Sequence, residues 1–176
     1  MKKRIFIAID FPSDILKEIL KIQGQLPEFI GKKIEAPNLH LTLKFLGEVE
    51  FEKIKEIRKN LQKIKLKKFK VEMGEIGVFS PKFIRILWLS IKGCEKLQKE
   101  IDEKLVNFFE KEKRFMGHLT LARIKRIEDR KAFLNSLNRI KIPKLDFEIK
   151  EFKLKSSILD SKGPKYEDIE TYILEN

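Results

Sequence analysis

Apolar and polar residues follow two different periods along the chain, and the change of period separates strands from helices. Continuous or alternating apolar runs predict strands, whereas apolar residues three or four positions apart predict helices. Strands are predicted at residues 4–9, 39–45, 69–79, 83–91, around His118, and at 147–154. Helices are predicted at 13–25, 51–64, 95–109 and 129–137. Ser13 is expected to cap the first helix, and Gly74 and Gly77 are expected to bend the strand that contains them.

The two halves of the chain repeat one order of elements: strand, helix, strand, helix, strand. His40 and His118 lie 78 positions apart, the difference between their numbers, and the same offset aligns Phe69 with Phe147. We interpret this order as an ancient duplication of a β-α-β-α-β unit.

The predicted fold is therefore α+β and bilobal, with antiparallel sheets of the two duplicated units facing a central groove across a pseudo-twofold axis. Residues 1–176 are predicted to form a single domain, with pseudo-repeats at about 4–79 and 83–155 and a C-terminal tail at 156–176. Within the tail, Lys162-Gly163-Pro164 predicts a turn.

Both histidines of the chain begin the same four residues, His-Leu-Thr-Leu, at positions 40–43 and again at 118–121. Successive side chains on a strand point to opposite faces, so His40 and Thr42 share one face, about 7 Å apart. His118 and Thr120 share a face in the same way. The pattern predicts two imidazoles and two hydroxyls in the groove.

Two imidazoles that face one small anion favour paired acid and base catalysis. Imidazole titrates near pH 6.5, so one ring can be neutral and the other protonated near neutral pH. A phosphodiester needs both forms, because a base takes a proton from the attacking water or hydroxyl while an acid gives one to the leaving oxygen. The threonine hydroxyls are suited to donate hydrogen bonds to the non-bridging oxygens.

The histidine pair has three competing interpretations. A lone histidine on a strand is more often structural than catalytic, but two in the same setting favour chemistry. A zinc site is disfavoured because two histidines and the distant Cys94 do not make a clear three- or four-ligand set. A nucleophilic triad is disfavoured because no Ser or Cys lies in an elbow motif.

The balance of charge favours an anionic partner. The chain carries 39 Lys and Arg against 27 Asp and Glu, a net charge of +12, and nucleic acid is the usual partner of such a chain. Lys and Glu also cover the surfaces of hyperthermophile proteins, which accounts for the density of charge but not for its imbalance. Basic clusters at 63–70 and 111–114 either steer RNA or are only solvated.

Cysteine usage and the first residues bear on location. Cys94 is the only cysteine, so an intrachain disulfide is excluded and a reducing cytoplasm is expected. The apolar run of residues 5–9 is too short for a signal segment or a membrane span. We therefore expect a cytoplasmic protein without a membrane partner.

Several stretches resemble the two-histidine phosphoesterase superfamily, and within it the RNA 2′,3′-cyclic phosphodiesterases, also called 2′-5′ RNA ligase-like proteins. The mark of that family is a pair of His-x-Thr-x motifs about half a chain apart, as at His40 and His118. The other similar stretches are RIFIAIDFP, NLHLTLKFLGEV, IRILWLSI, HLTLAR and GPKY. Gly117 departs from the family pattern, in which proline precedes the second histidine.

The resemblance implies an enzyme that opens an RNA terminal 2′,3′-cyclic phosphate to a 2′-phosphate, with no metal and no other cofactor. It implies that His40 is the proton donor to the leaving 3′ oxygen and His118 the proton acceptor from water. The residues alone leave this order open. Some relatives also join the ends of tRNA halves through a 2′-5′ linkage. We expect a monomer whose partners are RNA with cyclic-phosphate ends, tRNA halves included.

Three neighbours of the motifs carry further expectations. Arg123 matches a family arginine that contacts the phosphate, but strict alternation places it on the face away from His118. A bulge is then required, and the alternative is an arginine in a surface ion pair. Alternation places Lys44 on the face of His40, where it adds positive potential. Phe6 either stacks on a base or, as the abundance of phenylalanine favours, lies in the core.

Two alternatives to this function stay open. In the first, the enzyme acts on a small cyclic nucleotide or on ADP-ribose cyclic phosphate. In the second, the protein is a non-catalytic module that binds RNA ends, although no RNA-recognition-motif signature supports it.

Overall fold

A single antiparallel sheet organises the chain. The computed structural model describes residues 2–160 and 163–176, and within them nine strands and four α-helices form. The strands are β1 (Lys2–Asp10), β2 (Ile30–Lys33), β3 (His40–Glu50), β4 (Phe69–Val78), β5 (Ile86–Lys92), β6 (His118–Arg126), β7 (Asp146–Ile149), β8 (Glu151–Asp160) and β9 (Gly163–Ile173). The helices are α1 (Ser13–Gly24), α2 (Phe51–Leu61), α3 (Glu95–Leu105) and α4 (Arg130–Leu137).

The strand order is symmetric about the pair of motif strands. It runs β7-β4-β5-β6-β3-β1-β8-β9, and β2 pairs with β6 outside this path. Exchanging β1 with β5, β3 with β6, and β4 with β8 reverses the order of the central six strands, as expected for a pseudo-twofold axis between β3 and β6. The predicted α+β class with antiparallel sheets is confirmed. The sheets of the two predicted units are joined into this single sheet through the β3–β6 pair, at Leu41 and Leu119.

The helices and one face of the sheet enclose the core. The apolar stripes of the helices belong to the same buried cluster as Leu41, Leu43, Leu119 and Leu121, each at most 1% exposed. Removing a leucine side chain from water contributes about 1.5–3 kcal/mol, so these four leucines fix the motif strands firmly. The histidines and threonines between them therefore lie on the opposite face.

The sheet is strongly curled. β9 lies three strands away from β3, and three strand spacings in a flat sheet amount to about 14 Å. The ring centroids of Tyr166 on β9 and His40 on β3 are nevertheless 5.0 Å apart. The face that carries the motifs is thus concave.

Several local predictions change in the structure. Ser13 does not cap α1: it is the first helical residue, Pro12 precedes it, and no side-chain bond caps the helix. The bend predicted at Gly74 is confirmed, since the β4–β5 register shifts between Met73 and Ile76, whereas Gly77 pairs regularly with Trp88.

The C-terminal region also differs from its prediction. The strand predicted at 147–154 is divided between β7 and β8, and the described part of the tail lies mostly in β8 and β9. The predicted turn is only partly visible: Lys162 lies outside the described residues, and Gly163 and Pro164 begin β9. In the described part of the chain, no helix is long and apolar enough to span a membrane.

Candidate active site

A bulge in β6 places Arg123 in the groove. Trp88 of β5 pairs with Thr120 and Leu87 pairs with Ala122, so Leu121 is left without a partner. Leu121 and Ala122 are consecutive buried residues. The alternation of buried and exposed side chains along β6 is therefore shifted by one residue after Leu121. Arg123 thereby returns to the face of His118, as the bulge hypothesis required. Among the described side chains, no carboxylate forms an ion pair with its guanidinium.

The same bulge occurs at the matching place in β3. Ala8 pairs with Thr42 and Ile7 with Lys44, so Leu43 is the extra residue. The position five after the first histidine is Phe45, which is exposed and lines the groove. The groove thus carries a guanidinium at one symmetric position and a phenyl ring at the other.

The two motifs come together across the β3–β6 pair. Because Leu41 lies opposite Leu119 in an antiparallel ladder, the histidine of each strand lies beside the threonine of the other. His40, Thr42, His118 and Thr120 are all half-buried and line one cavity of about 740 Å³. Arg123 lines the same cavity. The structure thus assembles all the predicted site residues, whereas their roles stay predictions.

Each imidazole is held by the backbone two residues before it. His40 Nδ1 lies 2.8 Å from the carbonyl oxygen of Asn38, and His118 Nδ1 lies 2.8 Å from that of Met116. A carbonyl oxygen can only accept, so Nδ1 carries a hydrogen in both rings. Nε2 is therefore the atom of each ring that gains and loses the proton.

His40 is enclosed by aromatic rings. The centroids of Phe6 and Tyr166 each lie 5.0 Å from that of His40, and Tyr166 meets it edge-to-face at 85°. Burial lowers the pKa of His40 from its ordinary value, although the Asn38 carbonyl and the charge of Asp10 oppose the shift. Phe6 is only 3% exposed, so it is buried as expected, but its ring lines the groove and lies outside the apolar core cluster.

A hydrogen bond to the last strand supports the loop before His40. Asn38 Nδ2 donates to the carbonyl oxygen of Pro164 at 3.3 Å. Pro164 and Tyr166 therefore brace the first histidine from β9. Sequence reasoning missed Asn38 and Tyr166 as site residues, although both lie in stretches that carry the family resemblance.

The groove favours anions. Among the described residues, Arg4, Lys32, Lys33 and Arg123 line it together with the acidic Glu35. Lys32 Nζ lies 2.8 Å from Glu35 Oε1, so one positive charge is partly balanced. A concave surface with this excess of positive charge attracts a phosphate group.

Comparison with protein families identifies the architecture. A family model described as LigT-like phosphoesterase matches residues 9–88 and again 91–166. The chain belongs to the LigT-like phosphoesterase family. The predicted resemblance is confirmed, as is the prediction that the chain is an enzyme that hydrolyses phosphoric diesters.

Two relatives are similar over nearly their whole length. A Methanocaldococcus jannaschii protein named RNA 2′,3′-cyclic phosphodiesterase is 40% identical, over 96% of this chain and 99% of the relative. A Thermotoga maritima protein of the same name is 32% identical, over 93% of this chain and 91% of the relative.

Solved structures share the fold. The crystal structure of Escherichia coli LigT complexed with 3′-AMP has a TM-score of 0.79 at 25% identity, over 100% of both chains. A Thermus thermophilus structure has a TM-score of 0.83 at 24% identity, over 98% of both chains, and shows likeness of fold alone.

Lys44 of this LigT-like phosphoesterase does not lie in the groove, so its predicted contribution there is wrong. The bulge at Leu43 turns Lys44 into the core, where its Nζ donates to Asp102 Oδ1 at 2.6 Å and to the Glu110 carbonyl at 2.7 Å. Asp102 also accepts from Gln98 Nε2 at 2.7 Å and from the backbone N–H of Glu112 at 2.9 Å. Lys44 is a structural residue that ties β3 to α3.

Steric crowding explains why this chain has glycine, and not proline, at position 117. A Cβ at this position would lie 2.3 Å from the carbonyl oxygen of Ile91 and 2.6 Å from Cys94 Sγ. A proline, which has a Cβ, does not fit here unless its surroundings move. Cys94 is buried, and burial raises its thiol pKa to about 12, so it packs beneath the second motif as an inert thiol.

Proposed function

We propose that this LigT-like phosphoesterase opens the terminal 2′,3′-cyclic phosphate of RNA to a 2′-phosphate, without a metal or other cofactor. The observation that carries the proposal is the pair of imidazoles on adjacent antiparallel strands, each with Nδ1 bound to a carbonyl, in one positively charged groove. Relatives named RNA 2′,3′-cyclic phosphodiesterase support it, as does the 3′-AMP bound to Escherichia coli LigT.

The proposed mechanism uses the two histidines in one displacement. His118 Nε2 takes a proton from water, the water oxygen bonds to phosphorus, and the P–O3′ bond breaks. His40 Nε2 gives its proton to O3′, which leaves a 2′-phosphate and a free 3′-hydroxyl. Thr42 and Thr120 donate hydrogen bonds to the non-bridging oxygens, where negative charge is held.

The proposed acid requires a charged partner. Burial lowers the pKa of His40 in the free protein, so the neutral ring is favoured there. A phosphate anion in the groove, with the opposite charge close by, favours the protonated ring. Arg123 binds the anion, which couples substrate binding to the protonation of His40.

The same displacement accommodates an RNA alcohol. When a 5′-hydroxyl replaces water, the product is a 2′-5′ phosphodiester, so we include joining of tRNA halves in the proposal. All groups of the mechanism come from one chain, so a monomer suffices, and we include a cytoplasmic location in the proposal. The duplication and the single-domain boundaries are part of the same proposal, supported by the symmetric strand order and by the family model's two matches.

Product analysis in the presence of EDTA tests the function. We expect an oligoribonucleotide with a 2′,3′-cyclic phosphate to give the 2′-phosphate alone, and chelation to leave the rate unchanged. In the described part of the chain, no group of three His, Cys, Asp or Glu side chains is placed to hold a metal ion. Loss of activity in EDTA with recovery on adding zinc or manganese would contradict the mechanism.

A length series in the same assay separates the alternatives. Faster turnover of a mononucleoside cyclic phosphate than of oligonucleotides would favour a small-nucleotide enzyme. Binding of cyclic-phosphate RNA with no product after long incubation would favour the non-catalytic module.

Salt is expected to weaken RNA binding steeply, because phosphate contacts release counterions. For single strands, log K falls by about 0.7 per phosphate contact for each tenfold rise in salt. Arg123→Gln should reduce this slope by about one contact. Lys59→Gln, at an exposed position of α2 outside the groove, is the matched control. The assay uses RNA ending in the 2′-phosphate, and equal slopes for both variants would exclude Arg123 as the phosphate contact.

A further inference from the structure

The two histidines of the groove have different surroundings. His40 is enclosed by Phe6, which is 3% exposed, and by the half-buried Tyr166. His118 instead meets the ring of Phe79, with centroids 5.1 Å apart and planes at 85°. The Phe79 side chain is 56% exposed. The groove is therefore closed around one imidazole and open beside the other.

An apolar surface borders the open side. We define the His118 rim as Phe79, Phe83 and Met116, which are 56%, 75% and 38% exposed. Met116 also supplies the carbonyl that binds His118 Nδ1. In hydrolysis His118 handles only water, which gains nothing from an apolar surface at its side. The apolar rim is therefore suited to contact a reactant larger than water.

The rim is held rigid from below. The ring of Phe79 packs against that of Trp88, with centroids 5.8 Å apart. Trp88 in turn lies over Gly77, where a Cβ would be 2.3 Å from the indole ring. Two hydrogen bonds fix the loop that follows: the Phe83 N–H donates to Ser80 Oγ at 3.3 Å, and Arg130 Nη1 donates to the Lys82 carbonyl at 2.7 Å. A preformed surface loses little entropy when it binds.

The charges beside the rim suit a nucleic acid. Lys82 and Arg85 flank Phe83 in the chain, and Lys113 and Arg114 precede Met116; all four are exposed. An exposed aromatic ring among basic side chains is typical of surfaces that bind single-stranded nucleic acid, where a base stacks on the ring and cations meet the phosphates. An apolar protein partner would not require these four charges.

We propose that the His118 rim binds the nucleoside that supplies the 5′-hydroxyl in 2′-5′ transfer, with its base stacked on Phe79. The inference rests on the proposed function, because it assigns the attacking oxygen to the side of His118. The 5′-hydroxyl gives its proton to His118 Nε2 and its oxygen bonds to phosphorus. The P–O3′ bond breaks, and O3′ takes the proton from His40 Nε2.

Partition between water and alcohol tests the proposal. A labelled oligonucleotide with a 2′,3′-cyclic phosphate is incubated with increasing 5′-hydroxyl dinucleotide, and the ratio of 2′-5′-linked product to 2′-phosphate is measured. Both reactions use His118, so a general loss of its activity cancels in the ratio. We expect Phe79→Leu, which keeps an apolar contact without a stacking face, to lower the ratio about 10-fold. Phe79→Trp should keep the ratio near that of the wild type.

Two controls test whether the change in ratio is specific to base stacking on Phe79. Phe51→Ala removes a similarly exposed phenylalanine from the start of α2, whose ring meets Lys55 rather than a histidine, and should change neither rate. An acceptor with an abasic 5′ residue should transfer poorly in the wild type and equally poorly in Phe79→Leu. An unchanged ratio in Phe79→Leu, or hydrolysis without transfer at saturating dinucleotide, would overturn the acceptor site. Absence of hydrolysis by the wild type would instead overturn the proposed function.

Discussion

Replacing either His40 or His118 by alanine is expected to lower the rate of cyclic-phosphate hydrolysis by about 10²-fold or more, as loss of a positioned proton-transfer group typically does. The double variant should lose less than the product of the two single losses, because both groups act in one step. Single-turnover rates on one defined cyclic-phosphate oligonucleotide measure all three variants.

Asparagine variants distinguish chemistry from structure. The carbonyls of Asn38 and Met116 accept from Nδ1 of the two rings, and an asparagine Nδ2 can donate to the same oxygen. An asparagine cannot transfer the proton that Nε2 carries. His40→Asn and His118→Asn should therefore be as slow as the alanine variants. Recovery of activity with asparagine would mean that the histidines only hold the strands.

Replacing Lys44 by methionine is expected to lower the free energy of unfolding by about 3–5 kcal/mol, the usual cost of leaving one partner of a buried ion pair alone. The side chains of Lys44 and Asp102 are 2% and 5% exposed, so water cannot replace the lost partner. The double variant Lys44→Met, Asp102→Leu should recover much of the loss, since no buried charge is then unpaired. Urea denaturation of the three variants measures the effect.

An exposed ion pair of similar length provides the control. Lys70 Nζ lies 2.7 Å from Asp146 Oδ2 with both side chains open to solvent, and Lys70→Met should leave the urea midpoint nearly unchanged. Similar losses from Lys44→Met and Lys70→Met would show that burial does not matter to the Lys44 pair.

Acid should reduce the contribution of the Lys44 pair. Burial alone would raise the pKa of Asp102, but hydrogen bonds from Lys44, Gln98 and the Glu112 N–H outweigh it and hold that pKa below its ordinary value. A lowered carboxyl pKa stabilises the fold fully above the unfolded pKa of about 3.9, and the contribution is lost as pH falls through the folded value. The difference in stability between wild type and Lys44→Met should shrink in that range.

Periodicity predicted the elements that bury a regular apolar face. β1, β3, β5, β6 and the four helices all have such a face, and their predicted and observed positions overlap. β2 and β9 were missed because they bury almost nothing: all four residues of β2 are exposed, and in β9 only Tyr172 is buried. Strand pairing, which a single stretch of sequence does not encode, decides that these two segments extend the sheet.

The bulges in β3 and β6 are the reason why strict alternation did not place every site residue correctly. One extra residue in a strand exchanges its faces, and the register of the neighbouring strand determines where that residue lies. Arg123 was placed correctly because the family resemblance demanded a bulge, whereas Lys44 was misplaced by strict alternation through the equivalent bulge. Tyr166 and Phe79 were missed for a related reason. They reach the histidines from distant parts of the chain, through a curl that only the folded sheet supplies.

The most direct measurement uses a substrate whose leaving oxygen needs no proton, such as an activated aryl phosphodiester. The rates of His40→Ala and His118→Ala are measured on this substrate and on a natural cyclic-phosphate oligonucleotide. If His40 is the acid and His118 the base, the aryl substrate restores most of the rate of His40→Ala and leaves His118→Ala impaired on both substrates. Rescue of His118→Ala instead would reverse the two roles, and near wild-type turnover of the natural substrate by either variant would contradict paired histidine catalysis.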